Sequence, residues 1–115
     1  MLVSKAFTFD AAHLLPYYDG ECRNLHGHTY RLVVTIDAPV QKDGLAMDFA
    51  ILKRIVKEKV VDRLDHTYLN DLLQNPSAEH VVIWIGNDLK DAVPATLHQV
   101  DLAETPSSWV VYRGE

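Results

Sequence analysis

Apolar and polar residues alternate along two stretches near the start of the chain. Val3, Phe7, Phe9 and Ala11 share one parity with Lys5, His13 and Leu15, while Ser4, Thr8 and Asp10 take the other. From His28 the two-residue period returns: Tyr30, Leu32, Val34 and Ile36 on one face, Thr29, Arg31, Thr35 and Asp37 on the opposite one. Such alternation marks half-buried strands, so the two stretches predict an antiparallel hairpin. Pro39 to Gly44 reads as a loop. After it the period becomes helical: Asp48 is a plausible N-cap, and Phe49, Leu52, Ile55, Val56 and Val60 recur on one face of a helix ending near Arg63. Ser77 caps a second helix, with Glu79 in its first turn and Pro94 as its stop. The β-branched run within His80–Ile85 also suits a buried strand; the cap and the polar tail Asn87–Asp91 favour helix. From Ala95 alternation resumes, with His98, Val100, Leu102 and Glu104 opposite Leu97, Gln99, Asp101 and Ala103. Thr105 to Ser108 makes a turn, and Trp109–Tyr112 closes the chain as a strand. The predicted order is strand, strand, helix, helix, strand, strand, an α+β chain.

The parity places unusual chemistry on the buried side. His26 and His28 fall in register with Tyr30 and Leu32, and His13 in register with Phe7 and Phe9. Imidazoles gathered on an inward face are costly unless something binds them. Three neutral imidazoles with an open fourth position describe a catalytic zinc site. Cys22, the only cysteine, stands four residues before His26 in Cys-Arg-Asn-Leu-His-Gly-His. It either closes that site as a fourth ligand or stays outside it. Glu104 shares the parity of Val100 and Leu102; it either turns to solvent at the strand end or anchors a ligand with paired N–H donors. Asp65 and His66 are a polar helix-end loop or an acid–base pair, since a carboxylate can orient an imidazole.

At 115 residues, 48% of them apolar, the chain has the size of a single domain, residues 1–115, with a real core. No run approaches the ~20 apolar residues of a membrane span. The start lacks the basic and apolar stretches of a secretion signal. One cysteine makes no internal disulfide, which suits a reducing cytoplasm. A net charge of −5 argues against nucleic-acid binding. An anionic substrate stays open to such a chain if a metal and local cations supply the field.

Phe-Asp-Ala-Ala-His13, Cys22-x-x-x-His26-Gly-His28, Leu64-Asp65-His66, Asn75-Pro76-Ser77-Ala78-Glu79 and Glu104 together resemble the 6-pyruvoyltetrahydropterin synthase superfamily, from about Phe7 to the closing Tyr-Arg-Gly-Glu. The three-residue gap between Cys22 and His26, the short loops and that ending resemble most its bacterial 6-carboxy-5,6,7,8-tetrahydropterin synthase branch, which serves queuosine biosynthesis. Ser77 stands where Thr is usual and His80 where Asn is common. The resemblance implies the tunnelling fold: a four-stranded antiparallel sheet with two helices on one face, joined edge to edge into trimers that stack as a homohexamer. It implies zinc on His13, His26 and His28, and Cys22 as general base beside the metal. Asp65 and His66 are implied to complete the proton relay from a neighbouring subunit, and Glu104 to hold the pterin. The implied substrate is 7,8-dihydroneopterin triphosphate, converted to 6-carboxytetrahydropterin, acetaldehyde and triphosphate. Arg23 and Lys5 are weak candidates for the triphosphate; His80 and His98 read as structural. A pyruvoyl-type lyase retaining the three-carbon side chain, and a non-catalytic zinc- or pterin-binding oligomer, are the alternatives.

Overall fold

A computed structural model describes residues 1–115. Strand β1 (Leu2–His13) and strand β2 (His26–Asp37) pair antiparallel without interruption, from Leu2 opposite Asp37 to His13 opposite His26. The unbroken register follows from the clean alternation of both segments: a one-residue slip would turn every apolar side chain to the wrong face. Phe9, Ala11, Tyr30, Leu32, Val34 and Ile36 are all buried.

Helix α1 covers residues 49–64. Its first part, Phe49–Val56, is α-helical and is capped by the Asp48 carboxylate, which accepts from the Ala50 amide at 2.8 Å. A π-helical turn, Lys57–Val61, and a last α turn, Asp62–Leu64, complete it. The buried stripe is Leu52, Val56, Val60 and Leu64, spaced four residues apart. Four residues overshoot a turn of 3.6, so the stripe would drift around a regular helix. The wider π turn absorbs that drift. Phe49, expected on this stripe, lies one step outside it and is exposed.

Helix α2 (Ala78–Leu89) starts at Ser77, whose hydroxyl accepts from the His80 amide, and buries Val81, Val82, Ile85 and Leu89. Strands β4 (Thr96–Thr105) and β5 (Ser108–Tyr112) form the closing hairpin, with β4 antiparallel to β2. Both helices pack over the face carrying Phe9, Tyr30, Leu32, Val100 and Leu102.

The sheet differs from the four-stranded expectation. Thr67–Tyr68 forms a short strand, β3, that pairs parallel with Ala11 and Ala12, giving five strands in the order β3-β1-β2-β4-β5. Two residues carry no alternation, so the sequence pattern could not reveal them. Strand β4 also holds two bulges. Leu97 faces Ile36 and Gln99 faces Thr35, leaving His98 as an extra residue; Ala103 faces Trp109 and Thr105 faces Ser108, leaving Glu104 as another. The first bulge reverses the parity expected at the start of β4: Leu97, assigned to the outer face, packs against the core. Thr35, also read as outward, is buried, with its hydroxyl paired to Ser4 at 2.8 Å.

Candidate active site

His13 ends β1 and His26 begins β2, directly opposite one another, with His28 one inward position further along β2. Their ligating nitrogens all lie within 4.8 Å of one another. His13 is 1% exposed; the other two are half-buried. Backbone carbonyls orient the first two rings. The Nδ1 of His13 lies 2.7 Å from the Pro76 carbonyl oxygen and the Nδ1 of His26 lies 2.7 Å from that of Asn24. A carbonyl only accepts, so each Nδ1 carries the proton and donates it. Each Nε2 is then left as a lone pair, and the two face each other across 2.9 Å. Only a proton or a metal cation bridges such a pair. His28 Nε2 is buried with no hydrogen-bond partner. Burial holds the His28 imidazole below its usual value, with His13 and His26 acting in the same direction and Glu104 opposing them. Neutral imidazoles with carbonyl-fixed tautomers are the form in which histidine binds a metal, so the three residues fit a metal ion.

Glu104 reaches this cluster. Its parity with Val100 and Leu102 directs it inward, a bulge lies at its position, and Oε2 stands 3.7 Å from His28 Nε2. Bulges often re-aim a side chain beside an active site. Burial, with the Glu104 charge, pushes the Tyr30 phenol far above its usual range, so Tyr30 stays protonated beside His13.

Asp65 and His66 form a separate pair at the edge of β1. His66 Nδ1 is 3.0 Å from Asp65 Oδ2, and the imidazole is largely exposed. His66 has φ 59°, a left-handed backbone that costs a non-glycine residue about 1 kcal/mol. The Asp10 carbonyl holds it there, accepting the His66 amide at 2.6 Å. The Asp10 amide in turn donates to Asp65 Oδ1 at 2.9 Å, and this bond holds the Asp65 carboxyl below its usual range; His66 adds to it and partial desolvation opposes it.

Cys22 is a free, half-buried thiol on the 3₁₀ turn Glu21–Arg23 that precedes His26. Its sulfur lies outside the three-histidine cluster, as do Asp65 and His66. Arg23 is exposed on that turn, and Lys5 is half-buried opposite Val34 in the sheet. His80 donates from Nδ1 to the Asn75 carbonyl at 2.7 Å. The Asn75-Pro76-Ser77 segment does more than start a helix: the Pro76 carbonyl orients His13. Asn70 clamps the residue after His13, its side chain accepting from the Leu14 amide and donating to the Leu14 carbonyl, both at 3.0 Å. Neither role has a signal in hydrophobic periodicity: a backbone carbonyl is available at every residue, and Asn70 is one polar residue on a short 3₁₀ turn.

The family model described as 6-pyruvoyl tetrahydropterin synthase matches residues 2–115. The chain is an enzyme of the 6-pyruvoyl tetrahydropterin synthase family. Within that family it is 39% identical to a 6-carboxy-5,6,7,8-tetrahydropterin synthase of Synechocystis sp., over 96% of this chain and 92% of the relative. It is 41% identical to a 6-pyruvoyl tetrahydrobiopterin synthase of Dictyostelium discoideum, over 84% of this chain and 76% of that one. The structure of the Caenorhabditis elegans 6-pyruvoyl tetrahydropterin synthase superposes with a TM-score of 0.90 at 27% identity, covering 100% of this chain and 96% of the other. The tunnelling fold expected from the sequence is therefore the fold of this family member, with the short β3 added to the four long strands. No helix is long and apolar enough to cross a membrane.

Proposed function

We propose that this enzyme converts 7,8-dihydroneopterin triphosphate, with uptake of water, to 6-carboxy-5,6,7,8-tetrahydropterin, acetaldehyde and triphosphate. The observation that carries the reading is the pair of Nε2 lone pairs facing each other across 2.9 Å beside the orphaned Nε2 of His28, with Glu104 at its side. We assign His13, His26 and His28 as ligands of a zinc ion; three imidazoles and an open position are the catalytic zinc arrangement. Bound there, zinc would supply Lewis-acid stabilisation of negative charge on the substrate's side-chain oxygens.

The chain's own residues would do the rest. Glu104, half-buried at the mouth, accepts from a pterin ring N–H and the neighbouring amino group. An analogue lacking those donors would leave the carboxylate unpaired, which gives the selection its strength. Cys22, as thiolate, removes a proton from the substrate's side chain; a cation nearby favours the thiolate. Asp65 orients His66 through Nδ1, leaving Nε2 to carry a proton in the relay. Because the dyad lies outside the histidine cluster of its own chain, we place its meeting with Cys22 and the metal in an oligomer, where a neighbouring subunit supplies it. The open outer edge of β5, with Trp109 and Val111 exposed on it, suits edge-to-edge assembly into trimers, two of which would stack as a hexamer. A cytoplasmic step of queuosine synthesis is the setting these assignments support.

Zinc-loaded protein incubated with 7,8-dihydroneopterin triphosphate should yield the carboxy product and acetaldehyde by mass spectrometry. Cys22→Ala should abolish turnover and keep the metal. The similarity to the Dictyostelium relative favours one second reading, a triphosphate lyase that leaves the three-carbon side chain in place. Pyruvoyl product without acetaldehyde would replace the first reading with that one. Turnover unaffected by Cys22→Ala would overturn the role of the thiol.

A further inference from the structure

The Asp65–His66 pair is held by a residue with no role so far. Asp10 touches both members through its backbone: its N–H donates to Asp65 Oδ1 and its carbonyl accepts the His66 amide. Its carboxylate accepts the hydroxyl of Thr29 and has an oxygen within 4.8 Å of the carboxylate of Asp65 and a ring nitrogen of His66. Thr29 is the direct cross-strand partner of Asp10 and the next residue after His28. The connection therefore runs from the strand carrying two of the three histidines, through one side-chain bond, to the Asp10 backbone N–H and C=O that hold the two residues of the dyad.

We propose that Thr29 and Asp10 are positioning residues that tie the Asp65–His66 pair to β2. The inference rests on the proposed proton-handling role of that pair. Without the tether, Asp10 is an exposed residue on an edge of β1 where β3 contributes only two paired positions. His66 also needs an external hold, since its imidazole is largely exposed and its backbone is left-handed. Ala12 and Gly27, paired across the strands beside Asp10 and Thr29, line an open groove of about 620 Å³ that reaches His28 on one side and His66 on the other. The methyl of Ala12 and the bare Gly27 leave that groove clear, and the tether sits at its rim. Groups that orient a catalytic side chain commonly change rates by ~10–100-fold when removed.

The test uses the full-length, zinc-loaded protein with 7,8-dihydroneopterin triphosphate and reads kcat, KM and amide hydrogen exchange at His66. Thr29→Val keeps the shape and β-branching of threonine but loses the donor. It should lower kcat about 10–100-fold with KM within about twofold, and speed exchange of the His66 amide. Thr29→Ser restores the donor and should restore both readouts. Asp10→Ala, which also removes the carboxylate beside the dyad, should lose at least as much as Thr29→Val, and adding Thr29→Val to it should cost nothing further, because the tether is already gone. Wild-type kcat and His66 exchange in Thr29→Val would overturn the proposal, as would a loss that Thr29→Ser does not repair. An inactive wild-type protein counts against the parent reading instead, and the exchange data still decide whether the tether exists.

Discussion

Because Pro76 and Asn24 present carbonyl oxygens to Nδ1, His13 and His26 are fixed in the tautomer that leaves both Nε2 atoms without protons. The cluster is thus prepared for a cation before one arrives. His13 is also a buried packing element, against Tyr30 and the Pro76 carbonyl. His13→Ala should lose bound zinc, from about one equivalent per chain to under a tenth, and destabilise the metal-free fold by ~2–4 kcal/mol. The more exposed His28 should lose the metal on replacement by Ala at a smaller folding cost. Metal analysis and urea unfolding of the metal-free variants read the two effects; full zinc retention in His13→Ala would remove it from the ligand set. Asp65 makes a pH prediction. The Asp10 amide lowers its folded-state pKa below the usual carboxylate value. A lowered carboxylate contributes stability that is full above the unfolded value, near ~3.9, and is lost as pH falls through the folded one. The stability advantage of wild type over Asp65→Asn should be lost progressively as pH falls below about 4. An advantage that survives undiminished down to about pH 2 would contradict the assignment.

At the level of elements, the register of the two long strands was legible, because long near-strict alternation admits one register, although Thr35 proved buried where the pattern turned it outward. The histidine triplet came with them, since its inward direction is a consequence of the same parity. What periodicity could not supply was anything that breaks period: the π turn in α1, the two bulges of β4 and the two-residue β3. Glu104 shows the difference. Its parity with Leu102 suggested an inward carboxylate, but the pattern left solvent open as an alternative; the bulge, invisible in sequence, is the feature that accompanies its turn toward His28. The contact between α2 and β5 gives a direct test of how tightly these elements are fitted. Gly86 is buried in α2, and a Cβ there would stand 2.7 Å from the Tyr112 ring. Alanine favours a helix interior by about 1 kcal/mol over glycine, yet the overlap forces Tyr112 to move. Gly86→Ala should therefore destabilise by ~1–3 kcal/mol. In a Tyr112→Ala background the same substitution should become neutral or stabilising, as measured by urea unfolding of the full cycle. A stabilising Gly86→Ala in the wild-type background would show that the ring shifts freely.

On the scale of the whole molecule, the Asp65–His66 pair lies outside the histidine cluster of its own chain, and the fold leaves strand edges open. An active centre completed between subunits accounts for both facts. It also makes a quantitative prediction that a single-chain centre does not. Cys22→Ala and His66→Ala should each be inactive alone. Mixed one to one, unfolded and refolded together, they should assemble at random into mixed oligomers. A centre that takes its thiol from one chain and its dyad from another is intact when the first chain carries His66→Ala and the second carries Cys22→Ala. Each condition is met half the time, so roughly one quarter of wild-type activity should return. Mixing the two variants without unfolding should return less, in proportion to how slowly subunits exchange. If the refolded mixture stays inactive while wild-type protein treated in the same way recovers, the thiol and the dyad act within one chain, and the fold must close on itself to bring them together.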